Sequence, residues 1–144
     1  MNSQELLESV MTALRNDAAM TALLAAGTGT DKVRYSRSLT EDADPVLAVD
    51  PSPSIQSGNV PGSFITVIGF DAFAKAEERP GATVADPMLT VAAIGRRVKE
   101  IFTRPRACEI PKGVMESLDL PELVPLQQGD FWRSSVRISF AHCF

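Results

Sequence analysis

"SFITVIGFDAF", Ser63–Phe73, is the stretch on which the fold turns. It is rich in β-branched and aromatic residues, which fit a pleated, packed surface. Apolar side chains fall on both of its faces around Phe64 to Ile68, which predicts a central strand covered on two sides. A second strand signal closes the chain. In "FWRSSVRISFAHCF", Val136, Ile138, Phe140, His142 and Phe144 alternate with Arg137, Ser139, Ala141 and Cys143. That period of two predicts a half-buried strand tied into the same sheet.

Helical spacing takes over on either side of the central stretch. Leu6, Leu7, Val10, Met11 and Leu14 form one apolar stripe, and Asn2 with Glu5 has the spacing of a capping box, so a helix is predicted from about residue 3. Asn16 or Asp17 can cap a second short helix through Leu24, with Gly27 as a left-handed stop. The first helix reads as core; the second is short enough to be an edge that faces a partner. "KVRYS" then reads as a brief strand with Val33 and Tyr35 on one side. After the central stretch, "KAEERPGATVAD" reads as a polar turn. Asp86-Pro87 has the form of a capping carboxylate followed by proline at the first helical position. Val91, Ile94, Val98, Ile101 and Phe102 carry one apolar face of that longer helix to about Thr103.

Between these elements lie two proline-broken stretches. Residues 36–62 hold Pro45, Pro51, Pro53 and Pro61 together with Glu41, Asp42, Asp44 and Asp50, and read as one long acidic loop with "PVLAV" as a candidate edge strand. Residues 105–130 read as a loop in which "GVMESLDLPEL" supplies a helical turn or a short strand. The predicted architecture is a single α+β domain over 1–144. A mainly antiparallel sheet carries the N-terminal helices and one longer helix on one face.

Composition narrows the function. The 144 residues are 44% hydrophobic and 22% charged, enough for a packed core. A net charge of −4 is unlike a general nucleic-acid binder, whose domains are basic. No run approaches the ~18 apolar residues of a membrane span. A basic segment followed by an apolar one, the mark of a signal peptide, is not seen at the start. Cys108, Cys143 and the single His142 are too few for a structural zinc site, which takes four such ligands, and no cofactor is expected.

Catalytic patterns are equally sparse. "GTGTDK" at 27–32 is glycine-rich but follows a helix instead of a strand, so it does not read as a phosphate loop. His142 and Cys143 are strand neighbours on opposite faces and cannot act as base and nucleophile. The carboxylates sit in loops, without the burial and fixed separation that acid–base work requires. No enzymatic activity is expected. The window 96–106 carries Arg96, Arg97, Lys99, Arg104 and Arg106 against Glu100 alone, either as a solvated face or as a patch for an acidic surface or for nucleic-acid phosphate. Arg96 with Glu100, and Glu100 with Arg104, have the spacing of helical ion pairs.

The run "LLESVMTALRNDAAMTALLAAG", then "KVRYS", then "GSFITVIG" resembles the opening of the tail-completion and tail-terminator proteins of tailed bacteriophages. The matching residues are Leu14, Asp17, Ala18 and Leu23; Val33, Arg34 and Tyr35; and Ser63 to Gly69. The helix from Met88 to Thr103 and the closing strand follow in the family's order. The resemblance implies a structural virion protein of the neck. Copies of it form a ring, commonly hexameric, that caps the tail tube, stops its polymerisation and docks to the head-side connector. DNA would meet it only in passage, and assembly would take place in the host cytoplasm. Function then lies in interfaces. Glu41, Asp42, Asp44 and Asp50 on one side and Arg96, Arg97, Lys99, Arg104 and Arg106 on the other become candidate subunit or partner contacts, since complementary patches steer assembly and set register. The alternatives are another neck component, such as a head–tail adaptor or a sheath-end protein, or an unrelated small binding domain.

Overall fold

The structure, a computed structural model, describes residues 1–36, 43–57, 61–76, 84, 86–104, 110–126 and 129–143. Among these residues lie three helices, α1 (Ser3–Asn16), α2 (Ala18–Leu24) and α3 (Pro87–Thr103). The same residues hold seven strands: β1 (Val33–Tyr35), β2 (Val46–Val49), β3 (Ser54–Ser57), β4 (Ser63–Lys75), β5 (Gly113–Leu118), β6 (Glu122–Leu126) and β7 (Gly129–Cys143). The strands form one mixed, mainly antiparallel sheet, and the fold is α+β as the sequence predicts.

Its axis is the antiparallel pair β4–β7, in register from Ser63↔Cys143 to Lys75↔Phe131. Each long strand carries two short ones on its outer side. β3 pairs with Phe64–Val67 and β2 with Phe70–Phe73 of β4. β5 pairs with Val136–Phe140 and β6 with Gly129–Arg133 of β7. β1 adds to β2 in parallel.

Alternation along the two long strands sorts the faces. Ile68, Phe70, Ala72 and Ala74 of β4 and Val136, Ile138 and Phe140 of β7 meet the helices in the main core. Phe102 of α3 sits between Phe70, stacked at 5.5 Å, and Phe140, edge-on at 5.7 Å. Leu6, Val10, Leu14, Met20 and Leu24 bring α1 and α2 into the same core. α1 begins with the predicted capping box between Asn2 and Glu5, and Asp17 caps α2 through the Met20 amide. On the opposite face the described residues form one small cluster at one end, made by Ala43, Val46, Ala48, Phe73 and Phe131.

Several expectations change. The stretch 36–62 is not one loop, because it contains β2 and β3. "PVLAV" supplies no edge strand: β2 lies between β1 and β4 with all four residues buried. "GVMESLDLPEL" supplies two strands, which follow the length of β7 in place of a helical turn. Two-sided coverage of β4 falls at Ala72, Phe73 and Ala74, whereas Ile65 is exposed. The second helix packs on α3 and leaves Ala18, Ala19, Thr21 and Ala22 exposed. Asp86 makes no side-chain cap bond, and Pro87 alone opens α3. Gly27 is needed for space, not for a left-handed turn: a Cβ there would stand 1.7 Å from the Asp44 carbonyl oxygen. Of "KAEERPGATVAD", Lys75 and Ala76 are described, Lys75 ending β4, while Glu77 to Thr83 and Ala85 lie outside the described residues.

Truncating the aromatic that joins helix to sheet tests this core. Phe102→Ala is expected to lower the stability to urea by about 3–5 kcal/mol, and Leu89→Ala, at an exposed position of the same helix, by less than ~0.5.

Candidate functional site

The charged residues singled out by sequence divide into those that fasten the fold and those that face solvent. Asp44 is buried, and its carboxylate accepts the Lys75 backbone N–H at 3.0 Å. Its own backbone exchanges bonds with Thr28 at 2.8 and 2.9 Å, so it anchors the loop after α2 to the sheet. It is not a partner contact, because its side chain does not reach the surface. Asp50 is also engaged internally: its carboxylate accepts the Ser52 amide at 2.9 Å, and its amide bonds Gly69 across the sheet. Glu41, Asp42, Arg106 and Cys108 lie outside the described residues.

Arg97 leaves the surface patch as well. Its guanidinium grips Asp17 with two bonds, Nε to Oδ2 at 2.9 Å and Nη2 to Oδ1 at 2.6 Å, and adds Glu100 at 3.0 Å. One carboxylate thus caps α2 and clamps α2 to α3. Those hydrogen bonds to Asp17 raise the Arg97 pKa above its ordinary value against the cost of desolvation, and Glu100 adds to the rise. The predicted pairs of Glu100 with Arg96 and Arg104 give way to this Arg97 pair, which the fork of a guanidinium suits. Arg96, Lys99 and Arg104 remain exposed, as expected of a docking patch or a solvated face.

A cationic knot lies beyond α2. Half-buried Lys32 donates through Nζ to the carbonyls of Asp44 and Pro45, each at 3.2 Å. Arg34, which is buried, donates to the carbonyls of Asp31 at 2.6 Å and Thr30 at 2.8 Å. Desolvation lowers the Lys32 pKa, Asp44 opposes that shift and Arg34 adds to it. The "GTGTDK" loop is therefore held from within by its own lysine and by Arg34, whose donors already serve backbone carbonyls.

The nearest approach to catalytic geometry was not visible in the sequence. Thr66 Oγ1 lies 2.6 Å from His142 Nε2, and His142 Nδ1 donates to the Met1 carbonyl at 2.8 Å. Ser3 Oγ stands 3.3 Å from the same threonine oxygen. The order hydroxyl, imidazole, orienting acceptor is that of an activated nucleophile. Thr66, however, has no exposed surface, so a substrate cannot reach it. The network secures the start of α1 to β4 and β7. His142 and Cys143 do fall on opposite faces, one buried and one exposed. Among the described residues, no group of three or more His, Cys, Asp or Glu side chains could hold a metal, and no helix is long and apolar enough to cross a membrane.

Large apolar side chains also reach the surface among the described residues. Ile55 on β3, Ile65 on β4, Val114, Met115 and Leu118 on β5, Leu123 on β6, Leu120 between them, and Met88 and Leu89 at the start of α3 are exposed. Ile55 lies on one lateral flank of the sheet, and Val114, Met115, Leu118 and Leu123 lie on the other. For the residues of β3, β5 and β6, the signal in the sequence is the apolar content of the two proline-broken stretches. No protein-family model and no curated protein matches the chain.

Two substitutions separate fastening from surface roles. Arg97→Ala is expected to cost about 1–2 kcal/mol in urea denaturation, because it leaves a largely buried Asp17 short of its donor, while Arg96→Ala stays within ~0.5. Lys32 gives a pH signature. Its folded pKa lies below the ordinary 10.5, so the unfolded chain holds the proton longer, and unfolding free energy rises with pH in the interval just below 10.5. Lys32→Met is expected to abolish that rise in urea midpoints compared across the interval.

Proposed function

We propose that this chain is a structural neck protein of a tailed bacteriophage, a tail terminator or tail-completion protein. Copies of it form a ring on the end of the tail tube, stop tube growth and receive the head-side connector, and the ring lets DNA pass. The work is done by surfaces and not by catalysis.

The observation that carries this reading is that exposed apolar side chains stand on both lateral flanks of the sheet, Ile55 on the β3 side and Val114, Met115, Leu118 and Leu123 on the β5–β6 side. A subunit of a closed ring meets two neighbours through two different surfaces, and such heterologous contacts close by rotation. Support comes also from the order of elements, two helices, a short strand, the long β4, the helix α3 and a closing strand, which is the order the family resemblance implies. Arg96, Lys99 and Arg104 stay available as contacts. The only hydroxyl–imidazole pair found among the described residues is sealed.

Light scattering on the purified chain, alone and with the tail-tube protein of the same genome, tests the reading. The expected outcome is a ring, formed either in solution or on tube ends, with tube growth halted. A chain that stays monomeric and leaves tube growth unchanged overturns it.

A further inference from the structure

We propose that the contact between neighbouring copies pairs two particular flanks: the α3–β5 flank of one copy docks on the groove between α1 and β3 of the next. The proposal rests on the ring reading above and names the surfaces that would build it.

The two flanks are level with each other. Ile55, Thr66, Phe140 and Gly113 form one row across β3, β4, β7 and β5, and Ser54, Val67, Ser139 and Val114 form the next. On the helix side of that row, Ser3 places the start of α1 over Thr66. At the far end of the row, the Phe102 carbonyl of α3 lies 2.9 Å from where a Gly113 Cβ would stand, so the end of α3 adjoins the start of β5. A rotation about an axis along the strands, with no rise, therefore brings one flank of a copy against the opposite flank of its neighbour.

Their chemistry is complementary. A groove of about 660 Å³ runs between α1 and β3, lined by Leu7, Tyr35, Pro53 and Ile55, with Glu8 at its wall. Ile55 is 55% exposed. The α3–β5 flank offers apolar side chains in return: Met115, opposite Ile138 on the helix side, is 36% exposed, and Val114, opposite Ser139 on the other face of the same edge, is 62% exposed. Lys99 and Arg104 of α3 and Lys112, just before β5, are exposed on the same flank. Glu100 on that flank is taken by Arg97, which leaves Glu116, with Asp119 past the end of β5 and Asp86 at the far start of α3, as its exposed acids among the described residues. The groove side carries Glu5 and Glu8 on α1 and, among the described residues, no basic side chain in its lining. Like flanks repel and unlike flanks attract, so the contact is head-to-tail, and opposite charge fixes its register. The occupant of the groove is a second copy of this chain.

The test uses one variant on each flank, at positions exposed enough that the monomer keeps its fold, which an unchanged thermal midpoint checks. Ile55→Asp spoils the groove and Val114→Asp the docking flank. Masses are measured by light scattering on full chains, alone and with tube protein. Where the wild-type chain assembles, each variant alone is expected to remain monomeric. An equimolar mixture retains one intact groove and one intact docking flank, and is expected to stop at a dimer. Glu8→Lys and Lys99→Glu are each expected to raise the half-assembly concentration roughly tenfold, and their combination in one chain to restore it. Assembly unaffected by both Asp variants overturns the flank assignment and leaves the ring reading standing. Homodimers of either Asp variant overturn it as well, because like flanks would then be pairing. A wild-type chain monomeric under both conditions overturns the two together.

Discussion

The long antiparallel register of β4 and β7 is the constraint from which the rest of the molecule follows. Because side chains alternate along a strand, a single register decides which residues of both strands meet the helices. A slip of β4 by one residue would turn Phe70 to the open face and bring Asp71 inward, and the same slip of β7 would do so to Ile138, Phe140 and Arg137. The pair is also longer than any other strand, so each partner has an outer side with room for two short strands in sequence. That is why β2 and β3, and likewise β5 and β6, sit end to end on opposite flanks. The division of the molecule into a helical face, a sparsely covered face and two lateral flanks is thus geometric before it is functional.

Charge in this protein is used largely for fastening. Asp17 terminates one helix, caps the next and holds the third through Arg97. Asp44, Lys32 and Arg34 spend their hydrogen bonds on backbone groups of the loops that frame β1 and β2. Such interactions are worth most where water is excluded. The charges left exposed are therefore the ones available to a neighbour, and they are unevenly spread. Acid lies on α1, and base lies toward the end of α3 and the start of β5. With exposed aliphatic side chains beside both, the flanks have the composition expected of surfaces that meet other chains.

The sequence by itself determined the elements with strong periodicity or clear punctuation. The stripe Leu6–Leu14, its capping box, the Asp17 cap, the apolar face of α3 and the alternation of Val136 to His142 are local patterns, and local patterns carry their own geometry. The class, α+β with a mainly antiparallel sheet and helices on one face, followed from their order. Legible too was a surplus of base on α3, though not which of its members is free.

Only the tertiary structure decided the rest, because those questions concern residues far apart in the chain. Whether Asp44 is a surface acid or a buried anchor depends on Thr28 and Lys75. The fate of Arg97 depends on Asp17, eighty residues earlier. "PVLAV" and "GVMESLDLPEL" lack a decisive period, and they became strands because β4 and β7 offered unpaired backbone along their outer sides. The candidate site, two opposed flanks level across the sheet, exists in no segment of the sequence; it is made by the register that brings Ile55 and Gly113 into one row.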